Sequence, residues 1–305
     1  MAARDQITAA AALLRAGRLV AFPTETVYGL GANALDPAAV RRIYEAKGRP
    51  ATSPLIVHVE SPEQARSLAA EWPETARRLV HWFWPGPLSL VLRKTDAIPD
   101  EATGGLPSVG LRMPAHPIAL ALIHAAGVPV AAPSANRFTT LSPTRAEHVR
   151  ASLGDAVDMI LDGGPTVIGI ESTVLSLTAS RPLLLRPGAI TREEIEAHIG
   201  PVDLASTAAH APGAAHASPG LHPRHYAPAT PLLLLEEGQT PPTGRGVTLA
   251  PGAGLPAAAR AYAADLYATL HELDQRSLDW IALVLPPRTP EWAAIHDRLA
   301  RAATP

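Results

Sequence analysis

The 305-residue chain is 47% apolar, enough for a sizeable core without cross-links, and carries a formal net charge of −2. With no cysteine it has no disulfide framework, thiolate nucleophile or cysteine-held zinc, and its charge argues against a protein that coats nucleic acid. No apolar run reaches the length of a membrane span, and the early acid at the N-terminus does not fit a signal peptide, so a cytoplasmic location is expected. Residues 19–22 read as a strand, and Asp36-Pro37 starts a helix with a good N-cap and a proline at its first position. A second strand is predicted at 55–59, followed by a helix opened in the same way by Ser61-Pro62. Further strands are predicted at 88–93, 109–112, 128–132, 159–161, 172–177 and 183–186. Helices fit 117–126, 143–153 and 192–199, the middle one capped by Ser142. This mixture predicts an α/β layered domain over 1–202. Residues 205–219 are mostly Ala, Pro, Gly, His and Ser, and 203–230 reads as a linker or lid. A small second α/β unit is predicted over 231–305, with strands at 232–235, 247–249 and 281–285, a helix at 256–270 and a closing helix after Pro290.

The stretch 22–50 opens FPTETVYGLG and closes EAKGRP. Its first part is a hydroxyl-rich turn after an apolar strand. Its second sets Lys47 and Arg49 beside Gly48 and Pro50, where two cations suit a polyphosphate: arginine grips oxygens in pairs and lysine acts as a point charge. A solvated basic turn at a helix end is the other reading of that pair. Neither a Walker loop nor a GxGxxG turn is present. Pro133-Ser134-Ala135-Asn136 follows a strand where open α/β sheets bind ligands, although an ordinary Asx or Ser turn looks the same. Arg112 ends a strand and suits either a carboxylate ligand or a surface ion pair. His58 shares a strand face with Ile56 and reads as half-buried and hydrogen-bonded. Glu171-Ser172-Thr173 begins a strand, and Arg186-Pro187-Gly188 ends the next. Arg224-His225-Tyr226 lies in a proline-bounded segment, either a lid or a plain linker. His210, His216, His222 and His225 have no fixed ligand spacing, so no metal held by protein ligands is predicted.

FPTETVYGLG, KGRP, LIVHV, FWPGPLSLVL, VGLRMP, PSAN, ESTV and LLRPG occur here in the order of YrdC-like domains. Together with SPGLHPRHYAP at 218–228, they make the chain resemble the two-domain threonylcarbamoyl-AMP synthases. The resemblance implies a twisted mixed sheet flanked by helices, plus a small Rossmann-like C-terminal domain, which looks shorter here than is usual. It implies conversion of ATP, L-threonine and bicarbonate to L-threonylcarbamoyladenylate and pyrophosphate. Magnesium would accompany ATP, and the product would feed the transferase machinery that modifies adenosine 37 of tRNAs reading codons that begin with A. Carried over by motif, Thr26, His58, Arg112, Ala132 and Ser172 would contact threonine. Lys47 and Arg49 would be catalytic and, with Ser53, Ser108, Ser134, Asn136, Ser142, Arg186, His225 and Tyr226, would hold the nucleotide. An RNA-binding module of the same fold is the alternative, disfavoured by the charge and the lack of aromatic-basic interleaving. A carbamoyl-adenylate enzyme, as in hydrogenase maturation proteins, would require zinc-finger and acylphosphatase segments that are absent here.

Overall fold

A computed structural model describes residues 3–205 and 224–304. Three of the four linker histidines (His210, His216 and His222) lie outside the described residues. The first sheet is built from β1 (Val20–Phe22), β2 (Gly29–Asn33), β3 (Ile56–His58), β4 (Leu88–Arg93), β5 (Ser108–Arg112), β6 (Val130–Ala131), β7 (Met159–Ile160), β8 (Thr173–Ser176), β9 (Leu183–Arg186) and β10 (Asp203–Leu204). Their spatial order is β10-β9-β8-β4-β5-β3-β6-β2-β1-β7. The sheet is mixed: β3 lies parallel to β5, while β4 runs antiparallel to β5. Around it lie α1 (Ala3–Arg15), α2 (Pro37–Lys47), α3 (Pro62–Leu68), α4 (Glu74–Phe83), α5 (Asp100–Thr103), α6 (Pro117–Ala126), α7 (Ala146–Leu153) and α8 (Arg192–Ile199).

Strand alternation decides which core each residue joins. Val20 and Phe22 pack with the α1 and α6 residues Leu14 and Leu122, whereas Leu19 and Ala21 join the larger cluster with Ile43 and Leu79. The second sheet comprises β11 (Leu232–Leu235), β12 (Gly246–Pro251), β13 (Gly254–Leu255) and β14 (Trp280–Val284), all parallel, in the order β11-β14-β12-β13. Two helices, α9 (Ala259–Asp274) and α10 (Ala293–Ala302), complete this unit. Its core, around Tyr262, Leu266, Ile281 and Leu299, also takes in Val27, Leu141 and Ile170 from the first unit.

Two local findings differ from the sequence reading. β2 was not expected, because GLGAN offers no β-branched residue. The fold needs small residues there: a Cβ on Gly31 would come within 2.8 Å of both Phe22 Cε1 and Val130 Cγ1. The helix expected from Pro143 starts at Ala146 with Arg145 at the N-cap, so Ser142 does not cap it. The backbone ahead of it is already committed, since Pro143 O accepts from Tyr28 N at 2.8 Å and Thr144 O from Thr166 N at 3.0 Å. Helices α1 and α4 were also not anticipated.

Candidate active site

A cleft opens where several chain segments meet. The β1–β2 turn brings Thr24 and Thr26. The carboxyl ends of the parallel strands β3 and β5 bring His58 and Arg112, which are register partners. The loop after β6 contributes Ala132 and Ser134, the approach to β8 contributes Glu171 and Ser172, and β9 ends at Arg186. His225 and Tyr226 close one wall. Ligands of open α/β sheets sit at such strand ends.

At the threonine-rich end, Thr24 Oγ donates its one proton to Val27 O at 2.7 Å. The 2.8 Å contact between the two hydroxyls therefore has Thr26 as donor, which leaves Thr26 lone pairs for a ligand. Arg112 is buried and not a surface partner: Nη2 donates to Glu25 Oε1 at 2.6 Å and Nε to Gly86 O at 3.3 Å. Glu25 Oε2 accepts from Ala115 N at 3.1 Å. His58 is more deeply buried than expected, with Nδ1 lacking a partner among the described residues. Burial, then Arg112, pushes its pKa down to about 3, so the imidazole is neutral at working pH.

At the other end the solvated-turn reading of Lys47 and Arg49 fails, because they are only 3% and 7% exposed. α2 carries them there. Asp36 caps its start, and Gly48, with φ 61°, ends it in the left-handed conformation that turns the chain inward. Lys47 Nζ donates to Ser134 O at 2.6 Å and to Asn136 O, so it stands behind the loop and not on the cleft surface. Burial, then Arg49, depresses the Lys47 ammonium pKa well below its ordinary value. Arg49 lines the cleft: Nη2 donates to Pro54 O at 3.0 Å, and Nε is a buried donor without a partner among the described residues. Burial pushes its pKa down to about 10. Arg186 Nη2 donates to Ser172 O at 2.9 Å and Ser172 Oγ at 3.2 Å.

Ser53, Ser108, Asn136 and Ser142 do not line the cleft. Ser53 offers its carbonyl to Tyr44 Oη at 3.0 Å, and Ser108 opens β5, four residues ahead of Arg112. Asn136 Nδ2 donates to Thr140 O at 2.8 Å, and Ser142 Oγ donates to Glu171 Oε1 at 2.5 Å.

The junction of the two units also holds a pair of stacked imidazoles. His148 of α7 and His271 of α9 lie 3.9 Å apart at 23°. Burial, then His271 and Arg145, pushes His148 down to about 4, and burial lowers His271. A histidine whose folded value lies below its unfolded value binds fewer protons when native. The stability it contributes is therefore full above about 6.5 and is lost as pH falls toward 4. Urea unfolding at pH 7 and pH 5 should show a marked drop for the wild type and a smaller one for His148→Gln. An equal drop in both proteins refutes the assignment.

A model of the Sua5/YciO/YrdC family, described as telomere recombination, matches residues 12–188, and one of the threonylcarbamoyl-AMP synthase C-terminal domain matches 190–304. A threonylcarbamoyl-AMP synthase of Bacillus subtilis is 46% identical over 322 residues, covering 98% of this chain and 93% of the relative. The chain belongs to the threonylcarbamoyl-AMP synthase family. The crystal structure of P. abyssi Sua5 complexed with L-threonine superposes with a TM-score of 0.92 at 41% identity, over 98% of this chain and 94% of that one. A second P. abyssi structure, with a consecutive histidine and tyrosine both replaced by alanine, gives 0.89 at 40% identity, over 98% and 93% of the two chains.

The sequence reading named the motifs that hold Glu25 and Glu171 but gave neither a partner nor a site role, and it missed Arg298. Glu25 sits inside the PTET turn, but its partner Arg112 is 87 residues away. Glu171 precedes the expected strand, and its engagement depends on helices α9 and α10. Arg298 carried no local signal at all.

Proposed function

We propose that the chain is an L-threonylcarbamoyl-AMP synthase that joins L-threonine, bicarbonate and ATP and releases pyrophosphate. The observation that carries this reading is one cleft lined by two chemically distinct sets of side chains. Thr26, His58, Arg112 and Ser172 suit a small hydroxylated amino acid, and Arg49 and Arg186, with Lys47 behind, suit a phosphate chain. The product serves modification of adenosine 37 in tRNAs by a downstream transferase, in the cytoplasm.

Each residue has a physical task in that reaction. Arg112 shares its guanidinium between Glu25 and the threonine carboxylate. Neutral His58 and the lone pairs of Thr26 face the amine and the hydroxyl. A site built to bond that hydroxyl rejects valine by roughly 10⁴. The neutral amine adds to the carbon of bicarbonate with loss of water, which leaves no proton over, or to carbon dioxide, in which case the one proton released passes to the ATP phosphates. A carbamate oxygen then attacks the α-phosphorus, the bond to the β-phosphate breaks, and pyrophosphate leaves. Such transfer is mainly positioning and charge stabilisation, the task of the buried cations. Glu171 in the cleft lining is held by Arg298 at 2.8 Å, and Glu25 behind Arg112 is held at 2.6 Å, so the two do not form a magnesium cage. Magnesium enters as part of the substrate, MgATP.

The test is pyrophosphate release from purified protein with MgATP and bicarbonate, supplied in turn with threonine, serine or valine. Release that depends on both threonine and bicarbonate is expected. Its absence sinks the proposal.

A further inference from the structure

Arg298 is a fully buried charged side chain that the reaction chemistry above does not use. It reaches the first unit from α10. Its Nε donates to Glu171 Oε2 at 2.8 Å, its Nη2 to Glu171 O at 3.4 Å and its Nη1 to Asp297 Oδ2 at 2.6 Å. Its guanidinium carbon sits 5.1 Å from the centre of the Tyr226 ring, a cation–π distance. Glu171 and Tyr226 both line the cleft.

The charge balance of the nucleotide end depends on this contact. Glu25 is neutralised by Arg112, which leaves Glu171 as the carboxylate nearest to Arg186 and Ser172 along the chain of contacts. Without Arg298, Glu171 would keep only the neutral hydroxyls of Ser142 and Tyr267 as hydrogen-bond donors, and its charge would fall on the cations Lys47 and Arg186 that the pocket needs for phosphate. We propose that Arg298 is a positioning residue of the ATP site, through which the second unit cancels the charge of Glu171, seats Tyr226 and so sets the net positive charge of the cleft. This rests on the nucleotide reading above.

The experiment is calorimetric titration of the full chain with MgATP. Arg298→Met removes the ion-pair partner of Glu171 and is expected to raise Kd about tenfold or more. Glu171→Gln removes the anion and is expected to bind more tightly than the wild type. The double variant restores the charge balance and should return to within about threefold of the wild type. A purely structural role would instead weaken both single variants. The inference is overturned if Arg298→Met binds within about twofold of the wild type, or if Glu171→Gln binds no better than the wild type. Should Arg298→Met fail to fold, Glu171→Gln and the double variant, neither of which buries a lone carboxylate, still decide it. A wild type that does not bind MgATP removes the nucleotide reading itself, a result distinct from altered ordering among the variants.

Discussion

Arg49→Met is expected to lower threonine-dependent pyrophosphate release by about 10³-fold while leaving the thermal midpoint at or above that of the wild type. The two effects have one cause. Arg49 is buried beside other cations, its Nε has no partner among the described residues, and burial pushes its pKa down to about 10. Its Nη2 donates to the Pro54 carbonyl at 3.0 Å and, more weakly, to that of Ser53 at 3.5 Å. Removing it relieves crowding with Lys47, whose own protonation Arg49 depresses. In the proposed reaction it also removes a cation that would meet the charge developing on the phosphates. Active sites commonly trade stability for function in this way. The measurement is turnover together with a melting curve. A variant that keeps a tenth of the activity, or one that melts well below the wild type, would count against a phosphate role.

Arg112→Leu should show the opposite pattern and lose both properties. Glu25 would remain buried with only Ala115 N for company, and breaking a buried pair costs about 3–5 kcal/mol. Turnover should also fall because nothing replaces the anchor for the amino-acid carboxylate. Adding Glu25→Gln should recover most of the folding free energy in urea titrations, since no lone charge is left, without recovering activity at ordinary threonine concentrations. Recovery of both together would mean that Arg112 serves the fold and not the substrate.

The contrast shows what sequence alone could and could not reveal. Local signals placed α2 and α6 well, because Asp36-Pro37 and Pro117 announce starts and Gly48 and Gly127 announce ends. They failed at β2, where glycines are needed for the approach of Phe22 and Val130, and at Ser142, whose hydroxyl goes to Glu171. Polar motifs pointed to Thr26, Arg49, His58 and Arg112 as residues of interest, but burial decided between clamp and solvated turn, and burial is set by distant chain. The Glu171–Arg298 pair spans 127 residues, and no periodicity or spacing rule connects residues so far apart.

Val27 follows directly after Thr26, yet its side chain belongs to the core shared with α9 and α10. The cleft-lining turn is thus moored to the second unit through Val27. Parting the two units would strip Val27, Leu141 and Ile170 of their apolar surroundings and pull Arg298 from Glu171. A clamshell motion between the units is therefore an expensive door. Traffic of ATP in and adenylate out has to pass with the two halves still docked, through local movement of the segments that rim the cleft.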